Sequence, residues 1–432
     1  MTKFKRQRDY IDMENKLYRP RLIDKTLQQK LMLAKAVCVQ GPKACGKTWA
    51  ALKAAKSQIM LGDGRDNFSN RRLSLLDNSF ALRGEKPHLI DEWQEIPSLW
   101  DAVKFEVDKT TEPGQYILTG SSTPKRKGII HSGTGRISLL DMRTMSLFES
   151  GESTGDISLS SLFKGNIPEP IGADSPSIEK LAYYIIRGGW PEALNYPAEY
   201  ASSFASDYIK GVIQEDIPRV AESIDIVKMH HFLRSLARNE STTASKRVLI
   251  RDMNGEITDE TVNSYIDILS RLFLLSPQLP FTPSIRSSLR LKQMEKRHFT
   301  DPSIAAALLG LSVESLMNDL QTFGFLFESL VERDLAIYAN AIGCRLLHYQ
   351  DYKDNEADAI IEAPDGSWGA IEIKLGSGEI DHAAKTLLKV DKAMKEATGK
   401  EASFLAVICG LTSYGYTRED GINVIPITAL GV

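Results

Sequence analysis

A chain of 432 residues with 42% hydrophobic and 25% charged residues has the composition of ordinary folded proteins, which excludes disordered, collagenous and coiled-coil classes. Its length predicts about three domains at ~150 residues each. With 53 basic against 56 acidic residues and a formal charge of −3, the chain is not a globally basic nucleic-acid binder, so any such surface is a local patch. The cysteines Cys38, Cys45, Cys344 and Cys409 are scattered without CxxC pairing, which points to a reducing, cytoplasmic setting and away from a zinc cluster or disulfide framework. The opening stretch MTKFKRQRDYIDMENK lacks the apolar core of a signal peptide. No run approaches the ~18 apolar residues of a membrane span; the longest, FLAVICGL at 404–411, reads as a buried strand.

In chain order, AVCVQ (36–40) predicts a strand, GPKACGKT (41–48) a glycine-punctuated loop and WAALKAAKSQIML (49–61) a helix. The pattern G-x-x-x-x-G-K-T after a strand and before a helix is a phosphate loop, whose glycines let successive backbone N–H groups converge on phosphate. The expected nucleotide cradle is Gly41, Pro42, Lys43, Ala44, Cys45, Gly46, Lys47, Thr48 and Trp49, with Lys47 on the β- and γ-phosphates and Thr48 on Mg²⁺. HLIDEWQEIP (88–97) offers Asp91 as a metal ligand and Glu92 to orient the attacking water at a strand end. QYILTGSS (115–122) is a further strand, ending in Thr119, Ser121 and Ser122, any of which is placed to sense the γ-phosphate. SGTGR (132–136) ends in Arg136, a candidate charge stabiliser acting on its own nucleotide or on a neighbouring subunit's.

The stretches YRPRLIDKTL, GPKACGKT, LIDEWQEIPSLWDAVKFEVD, YILTGSS and HSGTGRISLLDMRTMSLFE resemble the bacterial and archaeal AAA-type ATPases fused to a C-terminal domain of unknown function. RGGWPEAL (187–194), YIKGVIQEDIPRV (208–220) and HFTDPSIA (298–305) resemble the C-terminal region of the same proteins. The resemblance implies ATP rather than GTP, in keeping with the lack of an Asn-Lys-x-Asp guanine-reading stretch; it also disfavours a GTPase-like switch.

Ser, Gly and Pro enrichment at 150–177 predicts a linker. The apolar spacing of Ile209, Val212 and Ile213 predicts helices between 178 and 239, and RGGWPEAL a turn without chemistry. EITDETVNSYIDILSRLFLL (256–275) has Thr258 as N-cap and Val262, Ile266, Leu269 and Phe273 on one face, which resembles the second helix of a winged helix-turn-helix. Asp259 and Glu260 at its start would repel phosphates, where relatives carry basic residues. The run IRSSLRLKQMEKRH (285–298), with Arg286, Arg290, Lys292, Lys296 and Arg297, reads either as a wing gripping a nucleic-acid backbone or as a solvated basic face.

In the last third, FLFESLVERDLAIYA (325–339) predicts an amphipathic helix carrying Glu328 and Glu332 on one face. CRLLHYQ (344–350), ADAIIE (357–362) and SWGAIEIKLG (367–376) predict a three-stranded meander with a turn at PDG (364–366). A hairpin pivoting on Asp365 pairs positions summing to 730, which sets Asp358 opposite Glu372 with Lys374 on their face. Opposed carboxylates need a cation between them. The set Glu328, Asp358, Glu372 and Lys374 resembles the PD-(D/E)XK restriction-endonuclease-like pattern, which implies Mg²⁺ held by the three carboxylates and Lys374 as a catalytic group.

The expected fold class is α/β: a P-loop AAA-type ATPase domain over 1–150, a linker and helical bundle over 151–240, a winged-helix-like module over 241–300 and a PD-(D/E)XK nuclease-like domain over 301–432. The expected function is an Mg²⁺-dependent ATPase that couples its ATP state to a nucleic-acid-associated, nuclease-like module. The alternative is an ATP-gated protein-interaction module with an inactive nuclease-like fold. The partners open to the sequence are DNA before RNA, a protein, and further copies of the chain, with no membrane.

Overall fold

The computed structural model describes residues 18–123, 130–165, 170–221, 223–282, 294–351 and 355–432. It divides into two compact units, one running to Thr144 with Arg271–Phe273 and the other comprising Met145–Ser270 and Leu274–Val432.

The first unit is a five-stranded parallel sheet in the order β2-β3-β4-β1-β5, built from β1 (Ala36–Gln40), β2 (Ser57–Met60), β3 (His88–Asp91), β4 (Tyr116–Gly120) and β5 (Ile137–Asp141). Strand β1, flanked by β4 and β5, reads as an apolar run because both faces are covered. Ala36 and Cys38 join a core with Leu99, Val103 and Val107 of α3 (Ser98–Asp108). Val37 and Val39 join the opposite core with Leu27 of α1 (Ile23–Leu33) and Ala50 and Ala51 of α2 (Lys47–Ala54). The helix expected over 49–61 stops at Ala54, because Ser57–Met60 leaves it to become the edge strand β2. Setting β4 between β1 and β3 brings the ends of all three strands to one edge of the sheet.

In the second unit the expected linker is drawn into the fold. The two-residue strand β6 (Ile157–Ser158) pairs with β15 (Leu430–Gly431), and β7 (Ile171–Gly172) pairs with β13 (Tyr414–Thr417). Around them Thr154 N–H donates to Thr428 O at 2.8 Å and Ser153 Oγ to Leu430 O at 2.6 Å. Helices α4 (Ile178–Arg187), α5 (Ser203–Gly211) and α6 (Ile226–Arg238) follow, with Ile209, Val212 and Ile213 buried. Next come α7 (Lys246–Asp252) and α8 (Asp259–Arg271), whose first turn is capped by Thr258 Oγ1 accepting from Thr261 N–H at 3.3 Å. Its buried face is Val262, Tyr265, Ile268 and Leu269, rotated from the expected one so that Ile266 is only half-buried.

An eight-stranded sheet in the order β7-β13-β14-β12-β11-β10-β9-β8 ends the chain. Its strands beyond those named are β8 (Leu279–Pro280), β9 (Arg345–Gln350), β10 (Glu356–Glu362), β11 (Trp368–Gly376), β12 (Phe404–Leu411) and β14 (Asn423–Pro426). The expected meander is β9-β10-β11; Ala359 pairs with Ile371 and Ile360 with Ala370, the register set by a turn at Asp365. Helix α10 (Leu320–Ala341), preceded by α9 (Pro302–Leu308), packs on β9 and β11. Helix α11 (Ile380–Thr398) lays Ile380, Ala383, Leu387 and Val390 on Ile360, Ala370 and Val407. Among the described residues no helix is long and apolar enough to cross a membrane.

Candidate functional sites

The phosphate loop connects β1 to α2, and its backbone needs glycine at two points. Gly46 sits in the left-handed region at φ 103° as the residue before α2. A Cβ on Gly41 would lie 2.1 Å from Met142 O, so the loop lies directly against the chain leaving β5. Lys47 is 4% exposed and its Nζ donates to Pro42 O at 2.8 Å, folded back across the loop it belongs to. Cys45 and Pro42 are buried, whereas Lys43, Ala44 and Trp49 reach solvent.

Three strand ends converge beside the loop. Asp91 Oδ1 accepts from Thr48 Oγ1 at 2.7 Å and from Thr119 Oγ1 at 2.6 Å. Burial raises the Asp91 carboxyl above its ordinary range, against the lowering effect of the two hydroxyl donors. Thr119 Oγ1 in turn accepts Glu92 N–H at 3.1 Å. Glu92 is in the left-handed region at φ 56°, a conformation costly for a non-glycine residue and concentrated at functional sites. Its Oε2 accepts from Ser121 Oγ at 2.9 Å and from Gln94 Nε2. Thr48, Asp91, Glu92, Thr119 and Ser121 thus form one network spanning the ends of β3 and β4 and the start of α2. A hydroxyl and a carboxylate meeting at the mouth of a phosphate loop are the oxygen donors that Mg²⁺ favours beside nucleotide phosphates, so the residues present fit the ion.

Arg136 is elsewhere. It immediately precedes β5, at the end of the sheet opposite the loop, with five residues of strand, roughly 16 Å, between them. Its guanidinium pairs with Asp108 and donates to Gly135 O at 3.3 Å. The structure does not bring it to the nucleotide loop of its own chain.

Arg21 is a residue the motifs did not single out. Its Nη1 donates to Cys45 O in the loop at 2.9 Å, and its Nη2 to Arg143 O at 2.9 Å and Thr144 O at 3.0 Å. One planar guanidinium therefore ties the loop to the segment after β5, a use of its fixed fork of donors that lysine does not match. The signal in the sequence was an arginine in YRPRLID, far from the loop and without a spacing rule.

In the second unit Asp358, Glu372 and Lys374 meet as the register predicts. Lys374 Nζ lies 2.8 Å from Glu372 Oε2 and 3.4 Å from Asp358 Oδ2, and the latter oxygen also accepts Ile373 N–H at 2.7 Å. Burial, with Asp358 adjacent, lifts the Glu372 carboxyl to about 8. Glu328 departs from the expectation. It pairs with Lys296, whose Nζ also lies 3.1 Å from Glu332 Oε1. Among the described residues no three His, Cys, Asp or Glu side chains converge as a metal site. Ammonium groups, rather than an open cradle, face the oxygens of the expected Mg²⁺ ligands Glu328, Asp358 and Glu372.

Within the basic run, Lys296 is buried in the acidic cluster rather than on a solvated face, and Arg297 is partly buried, with Nη1 donating to Ala244 O at 2.6 Å. Arg286, Arg290 and Lys292 lie outside the described residues.

His298 completes the cluster, with Nε2 2.7 Å from Glu332 Oε2 and Nδ1 3.6 Å from Glu240 Oε1. Burial alone would depress its pKa, but the two glutamates outweigh it and raise the imidazole to about 9. A raised folded value gives stability that is whole below the unfolded value near 6.5 and lost as pH climbs through about 9. The stabilisation should be on the order of 3 kcal/mol. Wild type should therefore lose more thermal stability than His298→Gln between pH 6.5 and 9.5; parallel melting curves across that range would show an uncharged His298.

Three family models match separate parts of the chain: an AAA domain over residues 33–150, a domain of unknown function, DUF8612, over 178–315, and another, DUF4143, over 323–430. The N-terminal part is thus an AAA-type domain, joined to domains of unknown function. Uncharacterized proteins of Mycobacterium tuberculosis and Mycobacterium bovis are each 23% identical over 352 residues, 81% of this chain and 72% of the relative. A Walker-type ATPase of Pyrococcus abyssi aligns over 66% of this chain and 94% of its own at 14% identity, with a TM-score of 0.41.

Proposed function

We propose that the chain binds ATP with Mg²⁺ and hydrolyses it, and that its nucleotide state governs the C-terminal module. The observation that carries the reading is the single carboxylate oxygen of Asp91 shared by Thr48 and Thr119, with Glu92 hydrogen-bonded into the same network. When bound there, Mg²⁺ supplies charge neutralisation across the β- and γ-phosphates. Lys47 exchanges Pro42 O for phosphate oxygens, and the loop amides bind the triphosphate. Glu92 orients the attacking water. Ser121 fixes its carboxylate, and Thr119 holds Asp91 and the Glu92 backbone in one arrangement. Arg136 acts, on this reading, only on a neighbouring copy's nucleotide.

Glu92→Gln keeps the size of the side chain and removes its charge. It should cut phosphate release about 10²-fold or more while ATP binding stays within a few-fold; undiminished turnover would remove Glu92 from the reaction.

For the C-terminal module, helix α10 followed by the β9-β10-β11 meander, with Asp358, Glu372 and Lys374 in contact, supports a nuclease-like architecture. A second reading, in which this module responds to ATP and binds a partner without cutting nucleic acid, is favoured by the lysines that face its carboxylates. Incubating the protein with DNA and RNA, Mg²⁺ and ATP should then yield no cleavage that Glu372→Gln abolishes.

A further inference from the structure

Four carboxylates from three elements are gathered in the second unit: Glu328 and Glu332 of α10, Asp358 of β10 and Glu372 of β11. All but Glu328 are buried, and the Glu328 side chain is only 15% exposed. Such a cluster persists in a low-dielectric interior through protonation of some members or through positive charge among them. Beside protonation and the His298 imidazolium on Glu332, a divalent ion and a lysine ammonium are two ways to supply that charge, and they make different geometric demands. A hard divalent ion draws several oxygens to one point at 2.0–2.6 Å. An ammonium spreads three hydrogen bonds over separate acceptors at ordinary donor distances.

Lys296 meets the second demand. Its side chain is 3% exposed and pairs with both Glu328 and Glu332, one turn apart on α10. Its backbone is fixed by an antiparallel bridge: Gln278 N–H donates to Lys296 O at 2.8 Å and Lys296 N–H to Gln278 O at 3.0 Å. Lys374 does the same for Asp358 and Glu372. Each of the four carboxylates therefore has an ammonium partner, and a divalent ion entering the cluster would have to displace one.

We infer that Lys296 is the resident cation of this cluster, a covalently tethered substitute for a metal ion, and that the C-terminal module is complete without a divalent metal. The inference deepens the non-cleaving reading of this module and is independent of ATP hydrolysis by the first unit.

The test is titration of the nucleotide-free, full-length protein with Mn²⁺, with free ion read by electron paramagnetic resonance. Comparison with Glu372→Gln separates the C-terminal cluster from any ion held at Thr48 and Asp91. Wild type should show no bound ion that Glu372→Gln removes. Lys296→Met should gain one additional site per chain, lost again in the Lys296→Met/Glu332→Gln double variant. A wild-type site abolished by Glu372→Gln overturns the inference, as does a folded Lys296→Met that binds no more ion than wild type. If Lys296→Met folds only when Mn²⁺ is supplied, the inference stands; if it does not fold at all, the wild-type comparison decides by itself. Loss of phosphate release in an otherwise intact wild type would count against the ATPase reading and leave this result untouched.

Discussion

Lys47→Ala should lower the rate of ATP turnover by about 10²–10³-fold, the scale of removing one preorganised charge stabiliser from a developing anion. The side chain is buried in the loop and in this structure satisfies Pro42 O. Its loss leaves the loop backbone, the Asp91 network and the Arg21 staple in place, so the variant should fold with little change in melting temperature. Phosphate release measured beside circular dichroism makes the check: a folded variant that turns over ATP at the wild-type rate would detach the loop from the chemistry.

Arg333→Leu should have the largest effect on stability. Arg333 on α10 reaches Asp301 Oδ2 at 3.2 Å and Asp334 Oδ1 at 2.7 Å, and all three side chains are fully buried. The carboxylates are themselves structural. Asp301 accepts Gly189 N–H at 2.9 Å and Ser303 Oγ at 2.6 Å, and Asp334 accepts Leu147 N–H at 3.0 Å. Burial lifts the Asp334 carboxyl to about 6 even with Arg333 opposing the rise. Removing the guanidinium strands two buried carboxylates, a cost of about 3–5 kcal/mol, or roughly 10 °C for a unit of this size. Thermal unfolding followed by circular dichroism reads it directly; a shift under about 2 °C would mean that the pairs contribute little.

The same junction marks where reading the sequence stops. RGGWPEAL looks like a turn, and it is one, but its glycines are set by contacts far along the chain: a Cβ on Gly189 would lie 2.1 Å from Met145 O, and one on Gly188 would lie 2.5 Å from Asp301 Oδ1. No local spacing encodes those approaches. The phosphate loop was legible because strand, glycines, lysine and helix follow one another within a few turns of chain. The Asp358–Glu372–Lys374 grouping was legible because a tight turn at Asp365 sets the register of two adjoining strands, and parity does the rest.

The role of Lys296 is not legible locally, because a lysine among basic neighbours has the signature of a solvated face. Its burial comes from Glu328 and Glu332, more than thirty residues further on. The position of Arg136 depended on strand direction: a parallel β5 carries the residue before it to the far edge of the sheet, which composition does not reveal. The segment 150–177 reads as linker because strands of two residues leave no periodicity. Arg21 lies in YRPRLIDKTL, but no spacing marks its role, since its three carbonyl acceptors are backbone atoms that any residue supplies.

The most direct measurement of the central claim is equilibrium binding of a non-hydrolysable ATP analogue to the wild-type chain by calorimetry, with and without Mg²⁺. Saturable binding near one nucleotide per chain, weakened when Mg²⁺ is withdrawn and again by Asp91→Asn, is the predicted result. No heat at millimolar analogue and Mg²⁺ from folded protein would contradict it.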